Sequence, residues 1–406
     1  MSFAVIPDGQ SRDLFAAARA APLASAGSLL QLLRDGVPRT RADLALQTGL
    51  ARSTISARVE ELLASDLIAP AGESSSTGGR PPSTFAFNPA ARCVLAVDLG
   101  GTHARIAVTD LAARILIEEE QELSISLGPE RVLDAVLDVG ARLLAEANLP
   151  AEKLIGIGMG LPGPVEFATG RPTSPPIMPG WDGYDVPAHL RRTFDVPILV
   201  DNDVNTMVLG EHDMIYPEVS HMMFVKVATG IGAGIISDGR LQHGALGAAG
   251  DIGHISASAE STTPCTCGNL GCLESVASGY AIAAQLRERG RDVPHHAALI
   301  DLVRAGDLEA MHLVRAAGRT VGSVLASCVN MLNPELIVIG GLVVTAGEHF
   351  LAGMREAVYS RSLPLATQHL RIVPTQTSGR AGVLGASALV TAHTLTPANV
   401  NTLLAS

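Results

Sequence analysis

Three thiols and one imidazole lie close together in the sequence, in a pattern typical of a metal site. Cys265, Cys267 and Cys272 fall within eight positions, and His254 precedes the first of them by eleven residues. Zinc prefers four such ligands in a tetrahedron, and a closed set of three thiolates and one imidazole leaves no position open for water. The spacing therefore predicts a structural zinc site. The alternative is a set of free thiols beside an unrelated histidine.

Three glycine-rich segments each follow a predicted strand and could approach a phosphate group. Glycine has no Cβ, so its backbone N–H can come close to phosphate oxygens. A hairpin turn needs similar residues, and each segment alone fits that alternative at least as well. The candidate residues are Asp98, Gly100, Gly101 and Thr102 in the first segment, Thr229, Gly230 and Gly232 in the second, and Gly340 and Gly341 in the third.

Asp203 follows a short apolar strand at 198–200, within the sequence Asp201-Asn202-Asp203. A carboxylate at such a place could accept a proton from a bound hydroxyl group. It could equally cap the helix that follows, because Asp is among the preferred N-cap residues. The residues alone leave both roles of Asp203 open.

The elements that must position these residues begin near residue 93, where strands start to alternate with helices. The polar candidates fall where strands end, which is where ligands bind in an open α/β sheet. The pattern predicts two α/β lobes with a cleft between them. Strands are predicted at 94–97, 106–108, 154–159 and 198–200, a hairpin at 224–236, a last strand at 336–339, and helices at 130–147 and 313–332.

The first 92 residues have a different pattern, with three short helices followed by two strands. Thr40 and Asp43 form a capping-box arrangement at the start of the second helix, and Gly49 makes the turn before the third. This order predicts a helix-turn-helix followed by a β-hairpin wing. The helices are predicted at 24–36, 40–48 and 51–65, and the strands at 67–69 and 84–87.

Composition and charge limit the possible functions. The 406 residues are enough for two or three domains, and 47% apolar with 17% charged residues indicates a chain that folds throughout. The net charge of −11 is unevenly spread, because residues 1–92 carry nine Arg against eight acidic residues, or +1, which leaves −12 for the remainder. DNA phosphates repel a strongly acidic surface, so only residues 1–92 could face DNA. Without a secretory signal or a long apolar run, we expect a cytoplasmic protein that does not enter a membrane.

In their order along the chain, the motifs of residues 93–390 resemble those of the ROK family of repressors, open reading frames and sugar kinases. The resemblance implies an α/β fold of the actin-like ATPase (ribonuclease H-like) type, with two sugar-kinase lobes. The motifs that carry it are Asp98-x-Gly100-Gly101-Thr102, Gly160-Leu161-Pro162-Gly163-Pro164, Asn202-Asp203, Thr229-Gly230-x-Gly232, Gly253-His254 and Cys265-x-Cys267-Gly268-x-x-Gly271-Cys272-Leu273-Glu274.

The same resemblance implies roles for individual residues. Asp203 would be the base in any kinase member, and the three glycine-rich segments would face ATP. The residues implied for sugar binding are Gly163, Asn202, Asp203, Asp251, His254 and Glu274.

Two departures from the kinase pattern weaken the expectation of ATP and Mg²⁺ binding, and a third changes the reach of a sugar-binding residue. Ala228 stands where a glycine is common in the second segment, and Leu342 stands where the third segment usually has another glycine. A branched Leu342 side chain is expected to crowd the nucleotide. Asp251 replaces a glutamate and shortens that side chain by one methylene group.

The N-terminal extension of about ninety residues resembles the winged helix-turn-helix of ROK repressors, including Gly78-Gly79-Arg80-Pro81-Pro82 in the wing. Side chains on the exposed side of a helix that enters the major groove can reach bases or phosphates. A merely solvated face is the alternative. The candidate DNA-binding residues are Arg52, Ser53, Thr54, Ser56, Arg58 and Arg80.

Together these features predict a sugar-responsive transcriptional repressor that binds double-stranded operator DNA and a sugar or sugar-phosphate inducer as a homodimer or homotetramer. An ATP-dependent sugar kinase with an added DNA-binding domain is the alternative. A DNA-binding protein whose kinase fold serves only to dimerise is a third reading. The predicted domains are a segment at 1–22, a winged helix domain at 23–90, a first lobe at 91–205 with 380–406, and a second lobe with the zinc site at 206–379.

Overall fold

The computed structural model describes residues 25–73, 82–258 and 260–405. The predicted segment 1–22 lies outside the described residues, and so does Arg80 of the predicted wing. Within the described part of the chain, no helix is both long and apolar enough to cross a membrane.

The N-terminal domain has the predicted helix-turn-helix, followed by a β-hairpin. Its core consists of leucine and other aliphatic side chains that are fully buried, among them Leu29, Leu33, Ile55 and Leu62. These residues recur at helical spacing, which is why the three helices pack on one another. The elements are α1 (Ala26–Leu33), β1 (Arg39–Thr40), α2 (Arg41–Thr48), α3 (Arg52–Ala64), β2 (Ile68–Glu73) and β3 (Ser83–Phe87).

Local hydrogen bonds define where α2 begins and ends. The Asp43 backbone N–H donates to the Thr40 hydroxyl at 3.1 Å, and the Thr40 N–H donates to the Asp43 carboxylate at 2.9 Å. The predicted capping box is therefore confirmed. Gly49 ends the helix in the left-handed region with φ of 72°. β1 was not predicted, because a strand of two residues has no periodicity to detect; it pairs with β3.

The first lobe contains a five-stranded mixed sheet in the order β10-β7-β4-β5-β6. β4 runs parallel to β7, and β7 runs parallel to β10, so the carboxyl ends of these three strands meet at one edge. The elements are β4 (Cys93–Leu99), β5 (His103–Asp110), β6 (Ile115–Glu122), α4 (Pro129–Glu146), β7 (Leu154–Leu161), β8 (Val165–Glu166), β9 (Arg171–Pro172), α5 (Val186–Leu190) and β10 (Ile198–Asn202).

The second lobe contains another five-stranded sheet, in the order β13-β12-β11-β14-β15. The prediction that 336–339 is the last strand is wrong, because β15 follows it and pairs parallel with β14. β15 is short and lies at the sheet edge, with exposed residues at both ends, so its sequence lacks a buried apolar run. The strands are β11 (Met222–Val227), β12 (Ile231–Ser237), β13 (Arg240–Leu241), β14 (Leu336–Gly340) and β15 (Arg371–Pro374).

Helices cover this second sheet and enclose a large aliphatic core. The longest is α10, whose apolar face includes Val314, Val321 and Leu325, all fully buried. The helices are α7 (Leu273–Ala277), α8 (Gly279–Glu288), α9 (His296–Arg304), α10 (Leu308–Leu332), α11 (Glu348–Arg361) and α12 (Pro364–Thr367).

Two helices, α6 (Asp203–Ile215) and α13 (Ala381–Thr394), pack closely against each other. A Cβ at Gly385 would lie 1.6 Å from the Thr206 carbonyl oxygen, so only glycine permits this approach. α6 also contacts strands of both lobes, since Thr206 lies against β7 and Val204 lies against β12. Helix α6 therefore packs against both lobes.

The last helix, α14 (Pro397–Ala405), connects the body to the N-terminal domain. The Gln31 side chain of α1 donates to the Leu395 carbonyl oxygen at 2.6 Å, and the Gly27 N–H donates to the Asn401 side chain at 2.9 Å. One apolar cluster contains residues of α1, α3 and the C-terminal segment. The winged domain is thus packed on the body rather than joined to it only through a linker.

Candidate functional site

Polar residues meet at the edge where β4, β7 and β10 end. The Asn202 side chain donates to the Gly163 carbonyl oxygen at 2.9 Å and accepts from the Val204 N–H at 2.9 Å. Asn202 is therefore the N-cap of α6, and Asp203 is its first residue. The capping role left open for Asp203 belongs to its neighbour, which leaves the Asp203 carboxylate available for another contact.

That contact is an ion pair between the start of α6 and strand β11 of the second lobe. Lys226 on β11 donates from Nζ to the Asp203 carboxylate at 2.5 Å. The Asp203 side chain is 5% exposed and the Lys226 side chain 16% exposed. Burial would lower the pKa of Lys226, but the carboxylates of Asp203 and Asp98 outweigh it and hold that pKa above its ordinary value. Lys226 is therefore charged at neutral pH.

Asp98, at the end of β4, contributes a second buried carboxylate. Asp98 is 4% exposed, and its carboxylate oxygen Oδ1 has no hydrogen-bond donor among the described residues. Burial raises the pKa of Asp98 to about 6, and the nearby Lys226 ammonium opposes that shift. We call Asp98, Asp203 and Lys226 the cleft triad.

Glu274, in the first turn of α7, connects the cysteine-rich loop to the β11–β12 hairpin. Its Oε2 accepts the Ile231 N–H at 3.0 Å. Burial raises the pKa of Glu274, while this backbone contact lowers it. Asp251, in contrast, is exposed just before the short turn Ile252–His254. Glu274 is thus held by a hydrogen bond beside the second glycine-rich segment, whereas Asp251 is exposed.

The four predicted metal ligands come together. One ligand atom from each of His254, Cys265, Cys267 and Cys272 lies within 4.8 Å of all the others. The Cys265 sulfur is 3.5 Å from His254 Nδ1, and the sulfurs of Cys267 and Cys272 are 3.6 Å apart. Tetrahedral zinc with bonds of about 2.3 Å to sulfur would separate two thiolates by roughly 3.8 Å. The donor set and its spacing therefore fit a metal ion.

The thiols of this cluster differ in how readily they lose a proton. The backbone N–H of Asn269 lowers the pKa of Cys267 to about 7, whereas burial raises that of Cys272. Cys93 and Cys328 are buried elsewhere in the apolar cores. Only thiols at 265, 267 and 272 are therefore placed to share one cation among the described residues.

The first two glycine-rich segments form tight turns. Gly100 donates to the His103 carbonyl oxygen at 2.8 Å in the turn between β4 and β5, next to Gly101 and Thr102. Ala228 donates to the Gly230 carbonyl oxygen at 2.9 Å in the turn between β11 and β12, which also contains Thr229, whereas Gly232 lies in β12. In the third segment, Gly340 is the last residue of β14 and Gly341 follows it. A turn geometry is compatible with phosphate binding, so the nucleotide roles of these residues stay predictions.

Leu342 directly follows the third glycine-rich segment and is half-buried. Part of its side chain packs against the aliphatic core of the second lobe. The expected crowding of a nucleotide by Leu342 stays a prediction.

The candidate DNA-binding residues lie along α3. Arg52 and Ser53 are exposed at its start, and Thr54 and Ser56 are partly exposed in its first turns. Arg58 pairs with Glu61 at 2.6 Å on the same helix. Arg52 therefore has the most accessible guanidinium of the predicted set within the described residues.

Sequence reasoning missed Lys226 and His243. Lys226 is a single charge in the otherwise apolar strand β11, which was the signal available. His243 pairs with the buried Asp201 at 2.7 Å and stacks on Phe167 with ring centroids 4.3 Å apart. His243 follows β13 of the second lobe while Asp201 ends β10 of the first, so this pair joins the lobes.

Comparisons with known proteins agree with this architecture. Residues 94–393 match the ROK family. The xylose repressor of Caldicellulosiruptor bescii is 27% identical over 376 residues, covering 89% of this chain and 94% of the repressor. A glucokinase of Halalkalibacterium halodurans is 31% identical over 314 residues, covering 74% of this chain and 95% of the kinase.

A solved structure extends the comparison to the N-terminal domain. A ROK family transcriptional regulator, described as a homologue of the Escherichia coli MLC protein, superposes with a TM-score of 0.80 and 25% identity, covering 94% of this chain and 98% of the regulator. The predicted two-lobed fold with a preceding winged domain is confirmed. The chain therefore belongs to the ROK family, in the transcriptional-repressor branch that carries an N-terminal DNA-binding domain.

Proposed function

We propose that this protein is a sugar-responsive transcriptional repressor of the cytoplasm. The observation that carries the proposal is the packing of a winged helix domain, with α3 exposed, directly on a two-lobed sugar-kinase fold. The xylose repressor covers 89% of this chain, whereas the glucokinase covers 74%.

DNA binding is assigned to α3 and the hairpin that follows it. Arg52 and Ser53 are exposed where α3 begins, and the first residues of a recognition helix are the ones that contact base edges. Residues 1–92 are near neutral while the remainder carries −12, so few cations are available for phosphates. One domain alone would therefore bind weakly, and two domains held by a dimer or tetramer would bind through their effective concentration.

The sugar is assigned to the cleft near Asn202, Asp203 and Glu274. These residues come from α6, its N-cap and α7, so a sugar bound among them would contact both helices. Gln31 and Gly27 fix α1 to the C-terminal segment, so movement of the body changes the position of the winged domain. A sugar that closes the lobes would change the spacing of two domains on the operator.

An uncharged sugar suits this cleft better than a phosphate ester. The Lys226 ammonium already pairs with Asp203, and Arg105 beside Asp98 pairs with Glu118 and Glu120. Burial and the nearby Lys226 lower the pKa of His103, which therefore adds no positive charge. A phosphate dianion would face carboxylates whose cations are already engaged.

The zinc ion is assigned to His254, Cys265, Cys267 and Cys272, where it would fix the loop that leads into Glu274. It would act as a structural ion, since all four ligands come from the protein.

A sugar kinase is the second candidate, and the buried Asp203 at the start of α6 favours it. Its carboxylate would have to accept a proton from a sugar hydroxyl. The contact with Lys226 occupies Oδ2 of that carboxylate, which favours the repressor.

DNA binding is tested by comparing Arg52→Ala with the wild type. A duplex enriched from a random library by the full-length protein serves as the probe, with fluorescence anisotropy as the measurement. Loss of one base or phosphate contact costs about 1–3 kcal/mol, so we expect a roughly 10- to 100-fold weaker affinity. Arg142→Ala, an exposed arginine of α4 in the body, is the control. Equal affinity of Arg52→Ala and wild type would contradict the assignment.

A further inference from the structure

Lys226 is the only charged residue in the sequence of β11, where it lies among methionine, valine and phenylalanine. Its ammonium group reaches from the second lobe to Asp203 at the start of α6, with a 2.5 Å contact. A lysine side chain loses much rotamer freedom when it is held in one geometry. Both partners are also largely removed from water, so this ion pair carries a desolvation cost that an aliphatic residue would avoid.

The cleft triad brings together charges from both lobes. Asp98 ends β4, Asp203 begins α6, and Lys226 lies on β11. Both carboxylates act on the ammonium, and both are almost fully buried. Oδ1 of Asp98 finds no donor in the described part of the chain. The triad therefore has two carboxylates, one internal cation and an unused acceptor.

Two carboxylates that converge in a cleft beside glycine-rich turns would ordinarily attract a divalent cation. Mg²⁺ and Mn²⁺ prefer carboxylate oxygens, and phosphoryl transfer depends on such an ion to neutralise phosphate charge. The Lys226 ammonium, which bonds to Asp203 and is also attracted by the Asp98 carboxylate, supplies one positive charge and repels another cation. It also donates to the oxygen that a sugar hydroxyl would need as a proton acceptor.

We propose that the Lys226 ammonium is a tethered substitute for a divalent cation, which keeps the cleft a receptor for uncharged sugars rather than a site of phosphoryl transfer. This inference rests on the proposed sugar cleft. It assigns to Lys226 a specificity-determining role, because removal of the ammonium leaves Asp203 without its ion-pair partner and leaves beside Asp98 only Arg105, which already pairs with Glu118 and Glu120.

The test uses the full-length, zinc-loaded protein and Mn²⁺ alone as the probe, with free Mn²⁺ measured by electron paramagnetic resonance. Lys226→Met removes the charge while keeping an unbranched side chain, and Lys226→Arg keeps the charge. We expect Lys226→Met to bind Mn²⁺ about tenfold or more tightly than wild type, and Lys226→Arg to match wild type. Lys226→Met/Asp203→Asn should lose the gained affinity.

Two results would overturn the inference. One is equal Mn²⁺ affinity in wild type and Lys226→Met, whether strong or absent. The other is a gain in Lys226→Met that persists when Asp203 is replaced by Asn, since the ion would then lie elsewhere. If Lys226→Met does not fold, Lys226→Gln carries the same measurement, because its amide can still donate to Asp203.

Calorimetry with unphosphorylated monosaccharides on the same samples separates this inference from the proposed function. Sugar binding by wild type without any Mn²⁺ gain in Lys226→Met would refute the role of Lys226 and leave the sugar cleft standing. A Mn²⁺ gain in a protein that binds no sugar would refute the sugar cleft and leave the tethered cation standing.

Discussion

The metal-ligand cluster and the cleft triad both concentrate ionisable side chains, but they balance charge in opposite ways. The cluster places three thiols and one imidazole within 4.8 Å and includes no cationic side chain. In the triad, the Lys226 ammonium bonds to the Asp203 carboxylate and is also attracted by the Asp98 carboxylate. Three thiolates therefore need a cation from solution, whereas the triad supplies its own. The difference distinguishes a site built to hold a metal from one built to exclude it.

The two sites also differ in how the chain assembles them. All four metal ligands belong to one segment of 19 residues, from His254 to Cys272. The triad takes Asp98, Asp203 and Lys226 from three separate elements in two lobes. The first site can therefore stabilise a local loop, while the second depends on how the lobes sit relative to each other. Loss of each cation should accordingly have a different effect.

Cys267→Ser should have the largest effect, because binding energy of a structural metal is folding energy. We expect wild type to contain about one zinc ion per chain, and the variant to lose it and to unfold more easily by on the order of 3 kcal/mol or more. Metal analysis and urea unfolding are the measurements. Cys328→Ala, in the apolar core, is the control and should keep its zinc. Absence of zinc from the wild-type protein would contradict this prediction.

Glu274→Ala should have the next largest effect, because Glu274 connects the metal-ligand cluster to the β11–β12 hairpin beside the cleft triad. Its carboxylate holds the Ile231 N–H beside the cleft, and it follows Cys272 by two residues. We expect zinc to remain and sugar affinity to fall by about tenfold or more, since hydrogen bonds to charged groups contribute about 1.5–3 kcal/mol. Calorimetry measures this change. Glu274→Gln keeps an acceptor for Ile231 and should lose less; a full sugar response in Glu274→Ala would show that the sugar binds elsewhere.

Asp98→Asn should have the smallest effect, and one that depends on pH. Burial raises the pKa of Asp98 from 3.8 to about 6, so the folded state favours the protonated carboxyl. The stability that protonation of Asp98 gives the folded state is fully present below about pH 4 and is lost as pH rises through 6. We expect Asp98→Asn to be more stable than wild type at pH 8, by at most about 3 kcal/mol.

Urea unfolding of both proteins at pH 5 and pH 8 is the measurement for Asp98. The advantage of Asp98→Asn should shrink as the pH falls, because wild type becomes protonated and loses its buried charge. A stability difference that is the same at both pH values would show that ionisation of Asp98 does not contribute.

The sequence predicted the features that depend on local spacing. The cluster of three cysteines and one histidine, the capping box at Thr40 and the three N-terminal helices each follow from residues close together in the sequence. β15 escaped prediction because it is a short edge strand without an apolar run, and β1 because it has two residues. The role of Asp203 stayed open because the choice depended on Asn202, whose side chain caps α6.

Contacts between distant residues could not be predicted. Lys226 and Asp203 are 23 positions apart on different elements, and no periodicity relates them. His243 and Asp201 likewise meet only because the lobes face each other. Leu342 was expected to crowd a nucleotide, and its packing against the aliphatic core could not be read from the sequence. In each case the partner is set by how the sheets and helices pack.

The most direct test of the central claim combines two readouts on the wild-type protein. The monosaccharide that raises its melting temperature most is added with ATP and Mg²⁺, and both ADP formation and affinity for the enriched duplex are measured. We predict a change in duplex affinity of about tenfold without sugar phosphorylation. Turnover of about 1 s⁻¹ or more, together with a duplex affinity that the sugar does not change, would contradict the account and identify a kinase.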